Sequence, residues 1–445
     1  MPEREKADLP LDGLNDEQRE AFQIHLDDLW DDYADAMSSL AREAQTMVAN
    51  ATYDDGDPLA NARAMLDRYA RQANRLTLDY YRKVRSSWAE AAGVELPAYR
   101  EATVTSDRAF WQAVGGYNST GNVGLKYTDV INGRARGGLT IDDLWAEKTK
   151  DYGDGEWMTL AKDVVNQTAR LTQRFTAQKD PSEPRWARVP RGPTCEFCIM
   201  LASRGYVYWS EEKAGGRDNR YHRNDDCQIV SSWGETSIKG YDPEGMRRRY
   251  RECADTIGDL LTRERWLRYA ERAEDSGGDA DTFDEWKTKQ ILAEMRWRDR
   301  QWLYDGTEPA ITFASEELRE ETERARPQEI RTAERLRRHG IVPAFQLDYA
   351  IVSDPETGDT ERVGLADWAG GIEIKTVGTS KSFRTVDGYL GSASHKRDCT
   401  RLIIDNSESV NLSDEQLAEY VERSRRFHDG MVYVLTKDQR LIRMK

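Results

Sequence analysis

Cys195, Cys198, His222 and Cys227 fall within 33 residues of one another. Three sulfurs and one imidazole are the ligand set of a closed tetrahedral zinc site. Cys195 and Cys198 stand as C-x2-C, a turn tight enough to aim two thiolates at one point. After 23 intervening residues come His222 and Cys227, spaced H-x4-C. Four protein ligands leave no position for water, so the chemistry expected is structural: the ion adds folding energy because its ligands must converge before it binds. Two plainer readings stay open. The cysteines could be reduced core thiols beside a surface histidine, or they could pair in a disulfide if the protein works outside a cell.

A second constellation lies near the other end, in the stretch from Gly364 to Val377. Glu373 and Lys375 stand two apart in a strand-like run and therefore share a face. The Ala369-Gly-Gly371 turn returns Asp367 beside them. A carboxylate pair next to a lysine suits metal-assisted phosphodiester cleavage. The carboxylates would hold a divalent ion, and the lysine would polarise the attacking water or offset charge in the transition state. The plainer alternative is a surface charge pair without chemistry. A glycine-rich stretch, Gly115 to Gly124, lacks both the G-x-G-x-x-G order and the K-[ST] of a phosphate loop, and reads as a plain loop.

These groups need a scaffold, and 445 residues suggest two to four domains. Hydrophobic residues make up 38% and charged residues 33%, a balance that is lean in core formers. No apolar run is long enough to span a membrane, and the N-terminus lacks the apolar stretch of a signal peptide. Five cysteines in this length suggest synthesis in a reducing compartment. Net charge is −15; residues 326–445 carry 19 Lys and Arg against 19 Asp and Glu, so the whole excess lies in residues 1–325. Phosphate binding needs Lys and Arg to release counterions, so the first 325 residues are poor candidates for binding duplex DNA.

The periodicity predicts a long helix after Asn15, an N-cap with Asp16 and Glu17 behind it. Phe22, Leu26, Leu29, Tyr33, Met37, Leu40, Ala44 and Met47 form its apolar stripe. A second helix runs from about Leu59 to Ala92, with Leu66, Tyr69, Leu76, Tyr80, Val84 and Trp88 inward, giving an αα-hairpin. Shorter helices follow, then a short strand at Trp186 to Val189, a helical turn at Cys198 to Ser203, and strand-like runs at Tyr206 to Tyr208 and Gln228 to Val230. One charged helix is expected from about Tyr241 to Glu274, its Arg247, Arg248, Arg249 and Arg251 on a solvated face. Glu316 to Arg326 reads as a solvent-exposed helical linker, with Pro327 as a domain boundary. Beyond it an amphipathic helix, several strands and a helix from Ser413 to Phe427 indicate a compact α/β or α+β domain.

Trp186-Ala-Arg-Val189, the stretch Gly192 to Gly205, Tyr221-His222 and Cys227 resemble the phage Mu F-like minor head proteins, most closely those of actinobacterial phages. The resemblance covers about residues 100–235 and, more loosely, the helical N-terminal third. It implies a low-copy virion protein of the phage head interior, made in the bacterial host cytoplasm, with portal and capsid proteins as partners.

The C-terminal stretch resembles the nuclease domains of contact-dependent inhibition and related polymorphic toxins. The carrying residues are Arg331-Thr-Ala-Glu-Arg-Leu336, Gly340, Ala366-Asp367, Ile372-Glu-Ile-Lys375, His395-Lys396 and Leu402-Ile-Ile-Asp405. This resemblance implies a tRNA-cleaving enzyme of one of two kinds. A metal-dependent PD-(D/E)xK nuclease would use Asp367, Glu373 and Lys375 around a divalent ion. A metal-free ribonuclease would use Lys375 and His395 for acid/base and electrostatic work, with Asp367 and Glu373 orienting.

The expected architecture is therefore multidomain. A mainly α-helical N-terminal two-thirds, with a small zinc-stapled α+β core, precedes a C-terminal α/β (α+β) nuclease-like domain. The expected divisions are a helical arm over 1–98, the Cys/His core over 99–240, a charged helical linker over 241–326 and the nuclease-like domain over 327–445.

Overall fold

The computed structural model describes residues 8–120, 122, 124–207, 227–234, 236–353 and 359–445. The chain divides into two compact units, Met1–Glu244 and Gly245–Lys445.

The first unit is built on three long helices, α1 (Asp16–Ala51), α2 (Pro58–Ala92) and α6 (Asp154–Lys179), packed on one another. Asn15 starts α1 through a capping box with Gln18, and Asp57 caps α2 one residue before Pro58. The buried stripe of α1 is Leu26, Trp30, Tyr33, Met37, Leu40, Ala44 and Val48. Trp30 and Val48 take the places expected for Leu29 and Met47, because a residue four on lies about 40° around the helix from Leu26 or Ala44, and one three on lies about 60° to the other side. Tyr33 stacks on Tyr80 of α2 at 4.4 Å between ring centroids.

Helix α6 lies between the hairpin and a small sheet and is buried on nearly every side, although many of its residues are polar. Its polar groups are spent on cross-links. Thr172 donates to Asn74 of α2, and Gln173 donates to Ser231. Shorter helices α3 (Ser106–Val114), α4 (Tyr127–Ile131) and α5 (Ile141–Thr149) precede α6. After it, β1 (Arg185–Val189) pairs antiparallel with β2 (Gln228–Ser232), and α7 (Glu196–Ala202) follows β1 directly. Tyr206 and Val207, expected in a strand, lie outside any strand; Tyr208 falls outside the described residues.

The second unit takes in most of α8 (Pro243–Thr256), then α9 (Arg263–Asp275), α10 (Phe283–Met295), α11 (Arg300–Asp305), β3 (Thr312–Phe313) and α12 (Glu316–Ala325). The single charged helix expected over 241–274 is thus two, divided at Thr262, which caps α9. Arg249 is not on a solvated face: it is buried and donates to the Leu303 and Tyr304 carbonyls. Pro327 is not a boundary between compact units. It occupies the first turn of α13 (Pro327–Leu336), where its missing N–H costs nothing.

Four strands form the sheet, in the order β10 (Leu441–Arg443), β9 (Met431–Leu435), β8 (Arg401–Asp405), β7 (Ile372–Thr376). Strands β7, β8 and β9 are parallel, and β10 returns antiparallel. The crossovers run through α14 (Phe383–Ser394) and α15 (Asp414–Arg423). Two crossovers stepping the same way along a sheet put both helices on one face. Accordingly Val386, Leu390, Leu417 and Val421 pack with Leu402, Ile404, Val432 and Val434. On the other face Ala333 and Leu336 of α13 pack with Ile374, Ile403 and Tyr433, and Leu318 and Phe313 join the same core. A short strand β4 (Ala344–Phe345) pairs with β3, and a separate hairpin joins β5 (Tyr349–Ser353) to β6 (Thr360–Gly364).

Candidate functional site

The β1–β2 ladder pairs Val189 with Gln228, so Cys227 stands at the end of the ladder where β1 leaves toward α7. Cys195 is the N-cap residue of α7 and Cys198 lies in its first turn, buried. The topology thus brings three cysteines to one end of the small sheet. Arg170 of α6 fixes that end by donating from Nε to the Cys227 carbonyl at 2.6 Å. Tyr241 donates to the carbonyl of Ala202 at the far end of α7. None of the five cysteines forms a disulfide. His222 lies outside the described residues. Among the described residues no group of three or more His, Cys, Asp or Glu side chains is placed to hold a metal ion.

In the second unit the candidate chemistry lies on β7. Trp368 and Ile372 bond to each other across Ala369–Gly371, closing the turn expected there. Gly370 and Gly371 have φ of +83° and +76°, and a Cβ on Gly371 would sit 2.2 Å from the Asp398 carbonyl oxygen. Only glycine fits that closure. It sets Asp367 beside β7, where Oδ2 accepts the backbone N–H of Ile374 at 2.9 Å. Glu373 and Lys375 face the α14 side of the sheet, opposite in register to Leu402 and Ile404. Lys375 Nζ donates to Glu373 Oε1 at 2.6 Å and lies 3.8 Å from Asp367 Oδ2. The Glu373 side chain is 1% exposed, and its second oxygen, Oε2, is buried without a hydrogen-bond partner.

A fourth residue joins them from α13. Burial and the nearby carboxylate of Asp367 push the Glu329 carboxyl up to about 6, against the opposing charge of Arg326, whose Nη1 lies 3.5 Å from the buried Glu329 Oε2. Burial and Asp367 likewise raise Glu373. Lys375 is held above its usual value, since Asp367 and Glu373 outweigh the burial that opposes its charge. Like charges compressed around one ammonium are the arrangement in which a carboxylate can take up a proton near neutral pH. His395 does not belong to this group. It is exposed at the C-cap of α14, and no hydrogen bond or ion pair among the described residues joins its ring to the cluster. The adjacent Lys396 does act on it, its charge opposing the upward shift of Glu373.

The donor set suits a hard divalent cation of the magnesium kind. Such ions are commonly held by one or two carboxylates, with water and substrate phosphate oxygens completing the shell. Glu373, with its unpartnered oxygen, and Asp367 would be the protein ligands. Glu329 carries no signal in the sequence pattern, because it becomes a neighbour of Glu373 only once α13 is laid across the sheet.

The VG15 protein family model matches residues 14–253, more than half of the chain. The chain belongs to the VG15 protein family. This is a phage-associated family. The VG15 match takes in the helical hairpin, α6, the cysteine-bearing sheet and the first turns of α8, and it stops before the Asp367 cluster. No curated protein and no solved structure matches the chain. No helix among the described residues is long and apolar enough to cross a membrane.

Proposed function

We propose that this VG15 protein is a minor protein of the phage head, of the Mu F-like kind, associated with the portal and carried inside the particle. The VG15 match over residues 14–253 supports a phage role, and the motifs from Trp186 to Cys227 support the finer reading. Cys195, Cys198, Cys227 and His222 are proposed to hold a structural zinc ion that staples α7 to the β1–β2 sheet. Metal analysis of the purified full chain should give one zinc per chain, lost in Cys198→Ser. Particles assembled with a chain lacking residues 1–95 should lack the protein; normal incorporation would exclude the hairpin as the docking arm.

The C-terminal unit is proposed to cleave phosphodiester bonds in RNA, with tRNA the substrate class its resemblance suggests. The observation that carries this is the ammonium of Lys375 held between Asp367 and the buried Glu373, whose second oxygen is unpartnered. Lys375 would offset the charge that grows on the phosphate oxygens as the attacking oxygen bonds to phosphorus. Without a metal, Glu373, held above the ordinary carboxylate range by burial and by Asp367, would take the proton of that attacking group and return it to the leaving oxygen as its bond to phosphorus breaks. A divalent cation on Asp367 and Glu373, when bound, would supply Lewis-acid polarisation of the phosphate. The full chain should cut RNA, and Lys375→Ala should abolish cutting without loss of fold. Chelation by EDTA separates the metal-dependent from the metal-free nuclease. A chain that cuts no RNA with or without divalent ions would leave the unit as a structural appendage of the head.

A further inference from the structure

A cavity of about 320 Å³ lies between the end of α14 and the loop that leads into β9. Lys396, Arg426 and His428 line it, with Asp429 as the carboxylate of the lining and Cys399 among the remaining wall residues. One contact and one nearby charge relate it to the Glu373 cluster. The charge of Lys396 acts on Glu373, and the Cys399 thiol lies against the Glu373 backbone.

The wall is held in place from several sides. Arg426 Nε pairs with Asp387 Oδ2 at 2.9 Å, and Asp387 in turn accepts from Ser424. The guanidinium passes over Gly391 of α14, where a Cβ would meet Arg426 Nη1 at 2.6 Å, so the absence of a side chain lets it lie there. The next residue, Phe427, is buried with φ of +56°, a left-handed backbone that a bulky side chain rarely adopts. Gly430 leaves room for its ring, since a Cβ there would come within 2.2 Å of it. This turn presents His428 and Asp429 to the cavity. An unusual backbone conformation held beside a reactive cluster points to a function.

We propose that this cavity receives a phosphate group of the nucleic-acid strand, next to the phosphate being cleaved, with Lys396 and Arg426 as its contacts. The proposal rests on the reading of the Asp367–Glu373–Lys375 cluster as a phosphodiesterase site. Among the charged lining groups Lys396 and Arg426 stand against the single carboxylate of Asp429, and Asp387 holds Arg426 from outside. That balance favours an anion. A neighbouring strand phosphate is the anion that a cavity sharing Lys396 with the cleavage site would meet.

The test uses the full chain carrying Lys375→Ala, so that RNA is bound without being cut. Binding of a fluorescent single-stranded RNA oligonucleotide is followed by anisotropy over a range of salt concentrations. Adding Lys396→Gln or Arg426→Gln should each weaken binding about tenfold and lower the log–log salt slope by about 0.7, the value for one phosphate contact on a single strand. Lys396→Arg should restore both. Arg425→Gln, which removes an equal charge from an exposed residue outside the lining, should change the affinity far less. If Lys396→Gln and Arg426→Gln behave like Arg425→Gln while the oligonucleotide still binds, the subsite is wrong and the cleavage site stands. If the Lys375→Ala chain binds no RNA at low salt and the unsubstituted chain cuts none, both fall. Should Arg426→Gln melt early through loss of its Asp387 pair, the Lys396 variants decide the matter.

Discussion

Glu329 shows how a residue with no motif of its own enters a site. It lies in the first turn of a helix, and its surroundings in sequence are Arg, Gln and Pro. In the structure it faces Asp367, Lys375 and Glu373, and its carboxyl is held at about 6 against an ordinary value of 4.5. For an acid whose folded pKa lies above its unfolded one, the native state binds the proton more tightly. The resulting stability is complete below about pH 4.5 and is lost as pH rises through about 6. Glu329→Gln cannot ionise and escapes that loss. The stability of this variant relative to the unsubstituted chain should therefore rise between pH 4.5 and pH 7, by about 1 kcal/mol once solvent screening is discounted. Urea unfolding at the two pH values measures it; a difference that does not move with pH would show Glu329 titrating as an ordinary surface carboxylate. Asp367, Glu373 and Lys375 were legible because a two-residue strand period and a three-residue turn are local rules. Of the neighbours His395 and Lys396, the end of α14 leaves His395 exposed and puts the Lys396 charge where it acts on Glu373, a choice that sequence spacing alone does not make.

At the level of elements, helices with capping signals were the most legible. Asn15, Thr140 and Ser413 each begin a helix through a capping box. What the sequence concealed was which charged helices are buried. Helix α12 carries seven Glu or Arg residues in ten, which reads as a solvated linker. Yet Leu318 and Thr322, one turn apart, are buried, and Leu318 packs into the core over β7–β9. Two inward positions in three turns are too few to register as a periodic stripe, but they are enough to anchor a short helix. Leu318→Ala should thus cost about 2–4 kcal/mol, as for a core leucine, where a linker residue would cost no more than about 0.5 kcal/mol. Denaturant unfolding of the full chain discriminates the two. Helix α10 makes the same point. Its Glu294 forms an ion pair with Arg298 in which both side chains are 1% exposed, and it accepts a hydrogen bond from Tyr433 of β9. A buried pair held by a third group ties α10 to the sheet, since removing either charged member strands the other.

For the whole molecule, the consequence is where the second unit begins. Composition shifts at Pro327, but the packing does not. Trp297, Ile311, Phe313 and Leu318 lie against Phe345, Trp368 and Tyr433, and β3 supplies the partner of β4. Arg298 donates to the His339 carbonyl, and Trp302 donates to that of Arg338. Gly340 has φ of +73° and a Cβ there would lie 2.4 Å from the Trp302 ring, so the turn that ends α13 is shaped around a side chain from α11. A chain starting at 327 would keep α13 on this face of the sheet but lose the cover given by Trp297, Ile311, Phe313 and Leu318, exposing an apolar patch beside it. Residues 245–445 should therefore unfold as one cooperative transition. Residues 327–445 should show secondary structure without one, bind a hydrophobic dye and aggregate on warming. Calorimetry and dye fluorescence on the two fragments measure this directly. A sharp, reversible transition in 327–445 would show that the helices of 245–326 are an addition to an independent domain. The expected result would instead make the phage-family region and the candidate nuclease meet near residue 244, with RNA cleavage requiring the longer fragment.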